Sequence, residues 1–256
     1  MSAGWRGSGQ VVRIFFEAEA GVRYPAISEA EMREVDRIAV QEYNLGILQM
    51  MENAGRNLAC AAAELVEPTD SRIAVLAGKG GNGGGGLSAA RHLRNRGYEV
   101  SVHLSAEVDR LSAPARAQWD VMAAAGFEDS SKAIDPAMLG SADLVIDALI
   151  GYSLRGAPHS RTREMIELCN AQAQRVVSLD LPSGVDATTG DRPGAAIEPT
   201  CTLTLALPKL GLKTVRGDLL LADIGIPPQL YAAIGLDVEP FPGRHDLIRL
   251  CTAQEG

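Results

Sequence analysis

Residues 72–104 read RIAVLAGKGGNGGGGLSAARHLRNRGYEVSVHL, and the order of patterns in this stretch sets the fold. RIAVLA is an apolar run of strand length. GLSAARHLRNRG has helical spacing and stops at Gly97, and YEVSVHL alternates as a second strand. Strand, crossover helix and strand in that order imply a parallel pair. Between the first strand and the helix, seven of the nine positions from Gly78 to Gly86 are glycine. Glycine lets another group come close to the main chain, at an entropic cost on folding. A loop this rich in glycine is therefore expected to lie against a ligand.

The same cycle extends in both directions. Upstream, ISEAEMREVDRIAVQEY begins a helix with Ser28 as N-cap and Glu29 and Glu31 in the first turn, and Met32, Val35, Ile38 and Ala39 form its apolar stripe. GILQMMENAGRNLACAAAELV is a second, largely buried helix. Downstream come the helix SAPARAQWDVMAAAG, the strand ADLVIDALIG, a helix from about Arg161 to Gln172, and RVVSLDLPSG. CTLTLAL and DLLLADIG add two more strands. The expectation is an α/β protein, Rossmann-like and doubly wound, with a mostly parallel sheet and helices on both faces in three αβα layers. Residues 1–26 read as an N-terminal extension and residues 27–256 as one domain.

Composition narrows the function. Hydrophobic residues make up 46% and charged residues 22%, with a formal net charge of −8, which suits a globular protein and opposes a general affinity for nucleic acid. The four cysteines contain no CxxC pair, and His92, His103, His159 and His245 form no pair at ligand spacing, so a transition-metal site is not expected. No apolar run approaches the roughly 18 residues of a membrane span. The first 21 residues, interrupted by Arg13, make a poor secretory signal, so a cytoplasmic protein without membrane contact is expected.

In doubly wound sheets ligands sit beyond the carboxyl ends of the strands. Three such ends here carry the glycine loop, DALIGYSLRG and DLPSGVD. Each alone is also an ordinary β-to-α turn; three together point to a crevice. Gly78 to Gly83 satisfies GxGxxG, which suits a pyrophosphate at a helix N-terminus. No GK[ST] follows, so Lys79 reads as a solvated lysine rather than a phosphate clamp. The next strand lacks the closing acid of a dehydrogenase, since Glu107 comes several residues late.

SEAEMREVDRIAVQEYNLGILQMMENAGRNLA, AVLAGKGGNGGGGLSAARHLRNRGYEVSVHL, ADLVIDALIGYSLRGAP and VVSLDLPSGVDATTGDRPGAAIEPTCTLTLALPKLGL follow one another in a way that resembles the YjeF N-terminal family, whose enzymatic members are NAD(P)H-hydrate epimerases. The resemblance runs from about Ile27 to Pro228. It implies a homodimer that interconverts the R and S hydrates of NADH and NADPH, working beside a separate NAD(P)H-hydrate dehydratase, because members are often fused to one and this chain is too short to hold it. It implies one potassium ion per subunit at Asn82, Asp147 and Ser183. Substrate contacts map to Gly81, Asn82, Gly83, Gly84 and Gly85, to Gly151, Tyr152, Ser153, Leu154, Arg155, Gly156 and Ala157, and to Asp180. Catalysis is expected from Asp180, which closes a strand in the crevice, and from Arg155. Asp186 and Asp191 are expected to serve turns.

The family loop usually reads GxGNNGGDG, whereas this chain has Gly81 in place of the first Asn and Gly85 in place of the Asp. Loss of that carboxylate leaves open a second reading, a catalytically impaired nucleotide-binding, regulatory or dimerisation module of the same family.

Overall fold

The computed structural model describes residues 13–19, 21–66, 70–128, 134–242 and 246–251; the beginning of the expected extension and His245 lie outside them. In chain order the elements are β1 (Phe15–Ala18), β2 (Arg23–Pro25), α1 (Glu29–Gln41), α2 (Ile47–Leu65), β3 (Arg72–Ala77), α3 (Gly81–Asn95), β4 (Glu99–Leu104), α4 (Ala113–Ala124), α5 (Pro136–Gly140), β5 (Leu144–Ala148), α6 (Ser160–Gln172), β6 (Val176–Leu179), β7 (Cys201–Leu205), β8 (Asp218–Ala222), α7 (Pro228–Ala232) and β9 (Leu247–Cys251).

The strands described form one sheet in the order β2-β1-β9-β8-β7-β6-β5-β3-β4. From β4 to β8 every neighbouring pair is parallel, while β8–β9, β9–β1 and β1–β2 are antiparallel. The chain passes from β3 outward to β4 and then returns to the other side of β3 as β5. That reversal opens a crevice at the carboxyl ends of β3 and β5.

Alternation along β3 separates two layers. Ile73, Val75 and Ala77 pack with Leu58, Leu87 and Leu93 of α2 and α3, whereas Ala74 and Leu76 pack with Met165, Ile166 and Cys169 of α6. A third cluster joins α1, α7 and the antiparallel strands. The α1 helix starts as expected: Ser28 N–H donates to Glu31 Oε2 at 2.8 Å and Glu31 N–H to Ser28 Oγ at 3.2 Å, a capping box.

Two expectations change. The stretch read as an N-terminal extension contains β1 and β2, with Phe16 and Tyr24 each only 1% exposed, so from Phe15 onward it is sheet. The glycine loop is mostly helix, because α3 begins at Gly81 rather than after the last glycine. Its glycines meet protein. A Cβ on Gly83 would lie 1.7 Å from Gly78 O, on Gly84 2.5 Å from Met51 Sδ, and on Gly86 2.5 Å from Ala148 Cβ. Among the described residues no helix is long and apolar enough to cross a membrane.

Candidate active site

A cleft of about 1080 Å³ opens over the carboxyl ends of the parallel strands, large enough for a dinucleotide-sized ligand. One wall is the start of α3. The Gly84 N–H closes on Gly80 O at 3.0 Å, so the amides of residues 81–83 precede the first helical bond, where an anion is favoured. Gly81, Asn82 and Gly85 line the cleft, as do residues 151–157 and Asp180. Gly83 and Gly84 do not, since their Cα hydrogens face Gly78 O and Met51.

The chemistry concentrates on Asp180, one residue past β6. Asp180 adopts φ of 69°, a left-handed conformation that Asp tolerates better than most residues but that surrounding structure must hold. Two groups hold it. Lys209 Nζ donates to Asp180 Oδ1, and the Tyr152 N–H donates to Oδ2 at 3.0 Å. The ion pair is almost sealed, with the two side chains 1% and 5% exposed, and both residues line the cleft. Lys209 also donates to Leu205 O at 2.7 Å. Asp180 therefore does not cap its own turn. A buried, hydrogen-bonded ammonium–carboxylate pair at a cleft floor can both supply and accept a proton.

Behind this pair, the Tyr152 hydroxyl donates to Asp36 Oδ2. Burial pushes the Asp36 carboxyl above its usual range against the opposing pull of that hydrogen bond, and burial followed by the Asp36 charge pushes the Tyr152 phenol up. Gly151 lies where these groups meet Asn82: a Cβ there would be 3.0 Å from Asp180 Oδ2 and 3.1 Å from Asn82 Oδ1.

Asp147 and Ser183 are together but lie beneath the cleft floor, both fully buried. Asp147 accepts from Leu149 N at 3.2 Å and Ser183 Oγ at 2.5 Å on one oxygen, and from Ser178 Oγ at 2.8 Å and Ser183 N at 2.9 Å on the other. Burial raises its pKa, with the donors pulling the other way. Arg155 is not brought to Asp180. It lines the cleft with its side chain 68% exposed, paired to Glu29 at 2.9 Å. Asp186 Oδ1 accepts from Thr188 N and Thr189 N, each at 2.8 Å, as a turn residue does.

Sequence reading missed Lys209, Asp36 and Tyr152 as a network. The signal for Lys209 was a lone lysine in LALPKLGL just beyond the carboxyl end of a strand. For Asp36 it was a carboxylate four residues from Met32 on the helix face that carries the apolar stripe.

Comparison with known proteins places most of the chain beside one family. The family model described as YjeF-related protein N-terminus matches residues 47–211. An NAD(P)H-hydrate epimerase of Dehalogenimonas lykanthroporepellens is 46% identical over 247 residues, covering 94% of this chain and 98% of that protein. The bifunctional NAD(P)H-hydrate repair enzyme Nnr of Hyperthermus butylicus is 42% identical over 195 residues, covering 73% of this chain but only 36% of its own length. A crystal structure of yeast ynu0 superposes with a TM-score of 0.77 at 20% identity, covering 88% of this chain and 99% of that one; at that identity the likeness shows the fold.

Proposed function

Because this chain belongs to the YjeF-related N-terminal family, we propose that its cleft epimerises the R and S hydrates of NADH and NADPH, the activity for which its single-domain relative is named. The observation that carries the reading is the buried Asp180–Lys209 pair opening onto a dinucleotide-sized cleft at the reversal point of the sheet.

Epimerisation requires the hydroxyl-bearing ring carbon to lose and regain its configuration. The Lys209 ammonium, held by Asp180, supplies a proton to the departing hydroxyl, so the C–O bond breaks and water leaves. The ring nitrogen's lone pair fills the vacated position as a planar cation, which the Asp180 carboxylate stabilises. Water re-adds from the opposite face, and the proton it sheds returns to the pair. Tyr152 N–H keeps the Asp180 carboxylate fixed throughout. The α3 amides and the loop at residues 151–157 bind the pyrophosphate end.

A potassium ion fits the residue types at Asn82, Asp147 and Ser183. Their amide oxygen, carboxylate and hydroxyl are the hard oxygen donors such an ion takes, and the buried Asp147 carboxylate, which accepts four hydrogen bonds from neutral donors, supplies the one negative charge. These three residues would hold the ion through oxygen atoms. Bound there, it supplies a fixed positive charge beside the anionic substrate. The relative of Hyperthermus butylicus is named a bifunctional NAD(P)H-hydrate repair enzyme, which supports a place for this chain beside a second hydrate-repair activity, a dehydratase in our reading.

The test is to mix the protein with an R/S hydrate mixture and an S-specific dehydratase. Complete consumption faster than spontaneous epimerisation is expected, together with a loss of at least a hundredfold in Asp180→Asn. Persistence of the R hydrate with the wild-type protein, or unchanged turnover in the variant, would reject the assignment.

A further inference from the structure

We propose that the corner of the cleft at the carboxyl end of β4 is a phosphomonoester site, formed by Lys79, Ser105 and Arg110 with Arg161 beside them. This corner selects the hydrate of the 2′-phosphorylated dinucleotide over its unphosphorylated counterpart. The inference rests on the epimerase reading and adds to it the preferred substrate and the residues that set the preference.

Three contacts bring separate segments to this corner. Ser105 N–H donates to Ala77 O at 2.9 Å, fixing the end of β4 beside the end of β3. Ser112 N–H donates to Lys79 O at 2.8 Å, folding the 108–110 turn back against the glycine segment. Arg161 Nε, from the first turn of α6, donates to Leu104 O at 2.8 Å. Lys79, Ser105, Glu107, Arg110 and Arg161 all line the cleft here, giving three cations against one carboxylate in a chain of net charge −8.

Two features make the corner more than a basic rim. In dinucleotide-binding sheets the strand after the glycine turn ends beside the adenosine ribose: an acid there takes a 2′-hydroxyl, and an arginine nearby accommodates a 2′-phosphate. Here β4 ends at Leu104, Ser105 follows with a hydroxyl in place of the acid, and Arg110 comes six residues after the strand, beyond Glu107. Secondly, Lys79 and Arg110 have no ion-pair partner among the described residues, whereas the cleft arginines Arg33, Arg37 and Arg155 are each tied to a glutamate. Lys79 therefore has a use that its lack of a Walker pattern does not foresee.

The spacing agrees. From β6, which carries Asp180, to β4 is three strand steps in the sheet order, roughly 14 Å at ~4.8 Å per step. That places the nicotinamide at Asp180, the pyrophosphate over the α3 amides and the adenosine ribose at Ser105. A phosphate monoester brings up to two negative charges near neutral pH where a hydroxyl brings none, so discrimination falls on the two unpaired cations.

The test measures binding apart from turnover. Calorimetry with ADP-ribose and 2′-phospho-ADP-ribose should show at least a tenfold preference for the phosphorylated probe in the wild-type protein at low salt. In Lys79→Ala/Arg110→Ala the preference should fall below threefold, with a parallel drop in the NADPH-hydrate to NADH-hydrate ratio of kcat/KM. A wild-type protein without preference, or a double variant that keeps it, overturns the proposal. Preference without epimerisation sinks only the epimerase reading; epimerisation without preference sinks only this one.

Discussion

Replacing the α3 glycines one at a time by alanine separates the two reasons a chain can have for glycine. Gly81 faces open space, with nothing within 4 Å of an added Cβ. Alanine there gains part of the helix-propensity difference, about 0.5 kcal/mol at a first-turn position. At Gly83 the added carbon would stand 1.7 Å from Gly78 O and 2.5 Å from Gly78 C, both backbone. Neither can rotate away. Gly78 is itself tied to β5 through its N–H to Ala148 O at 2.9 Å, and a Cβ of its own would lie 1.9 Å from Leu149 O. Relief demands a backbone shift of more than an ångström, at about 3 kcal/mol or more for overpacking a sealed contact. Gly84→Ala should be intermediate, about 1–2 kcal/mol, because the Met51 thioether can swing but Ala115 Cα at 3.2 Å cannot. Gly85→Ala would put its Cβ 2.8 Å from Cδ2 of the buried Leu179, a side-chain end that must shift, and should cost about 1 kcal/mol or less. Guanidinium unfolding followed by circular dichroism, with the denaturant slope checked for constancy, gives the order 81, 85, 84, 83 from most to least stable. A Gly83→Ala protein within 0.5 kcal/mol of Gly81→Ala would refute the packing account.

Three further outcomes follow from the same geometry. Lys209→Met leaves the Asp180 carboxylate buried without its cation and should cost about 3–5 kcal/mol; adding Asp180→Asn should recover much of this, and strict additivity of the two costs would contradict the pairing. His103, only 2% exposed, is held by burial and then by Arg161 at a pKa of about 4. The unfolded chain takes up this proton near pH 6.5 and the folded chain only near pH 4, so stability is lost as pH falls through that window, by about 3 kcal/mol for a shift of this size. His103→Gln should flatten that part of the stability–pH curve, and an unchanged slope would assign it elsewhere. Exchanging potassium for N-methylglucamine at constant ionic strength should lower the melting temperature of the wild-type protein, by the equivalent of about 2.7 kcal/mol where the ion stood at a hundredfold its Kd. Asn82→Ala, which removes an amide whose Nδ2 is already unpartnered, should be insensitive to the exchange; equal responses would leave no role for Asn82.

Much of the parallel half of the sheet was legible because periodicity and stop signals agree there: Ile73, Val75 and Ala77 alternate with Ala74 and Leu76, and Gly97 and Gly126 close helices with positive φ. The antiparallel edge was not legible. β1 and β9 are four and five residues long, too short for alternation to stand out, and their pairing joins opposite ends of the chain. At the site, the rule that ligands gather beyond strand ends pointed to the three segments that hold Asn82, residues 151–156 and Asp180, all of which line the cleft. It could not tell which polar residue turns inward. Arg155 and Lys209 both follow apolar segments, yet Glu29 draws one to the rim while Asp180 and Leu205 O seal the other inside. That choice depends on partners 126 and 29 residues away, beyond any local window.

The glycines can now be placed. A ligand-facing loop would need its open positions to be glycine, but the open ones, Gly80 and Gly81, are where a side chain would be best tolerated. The demanding ones, Gly78, Gly83 and Gly86, touch Leu149, Gly78 and Ala148, which means that they seat the start of α3 against the ends of β3 and β5. A larger residue at 83 or 86 would push the helix outward. The displacement would move Asn82 away from Gly151 and the free α3 amides away from Asp180 and Lys209. Glycine here serves the fit of helix to strand: backbone approaches backbone, so that the α3 amides and the Asp180–Lys209 pair, to which we assign binding and proton transfer, face one cleft. Of the two positions where this chain departs from the family loop, Gly81 faces open space and Gly85 touches only the end of the Leu179 side chain, so neither seats the helix through backbone contact.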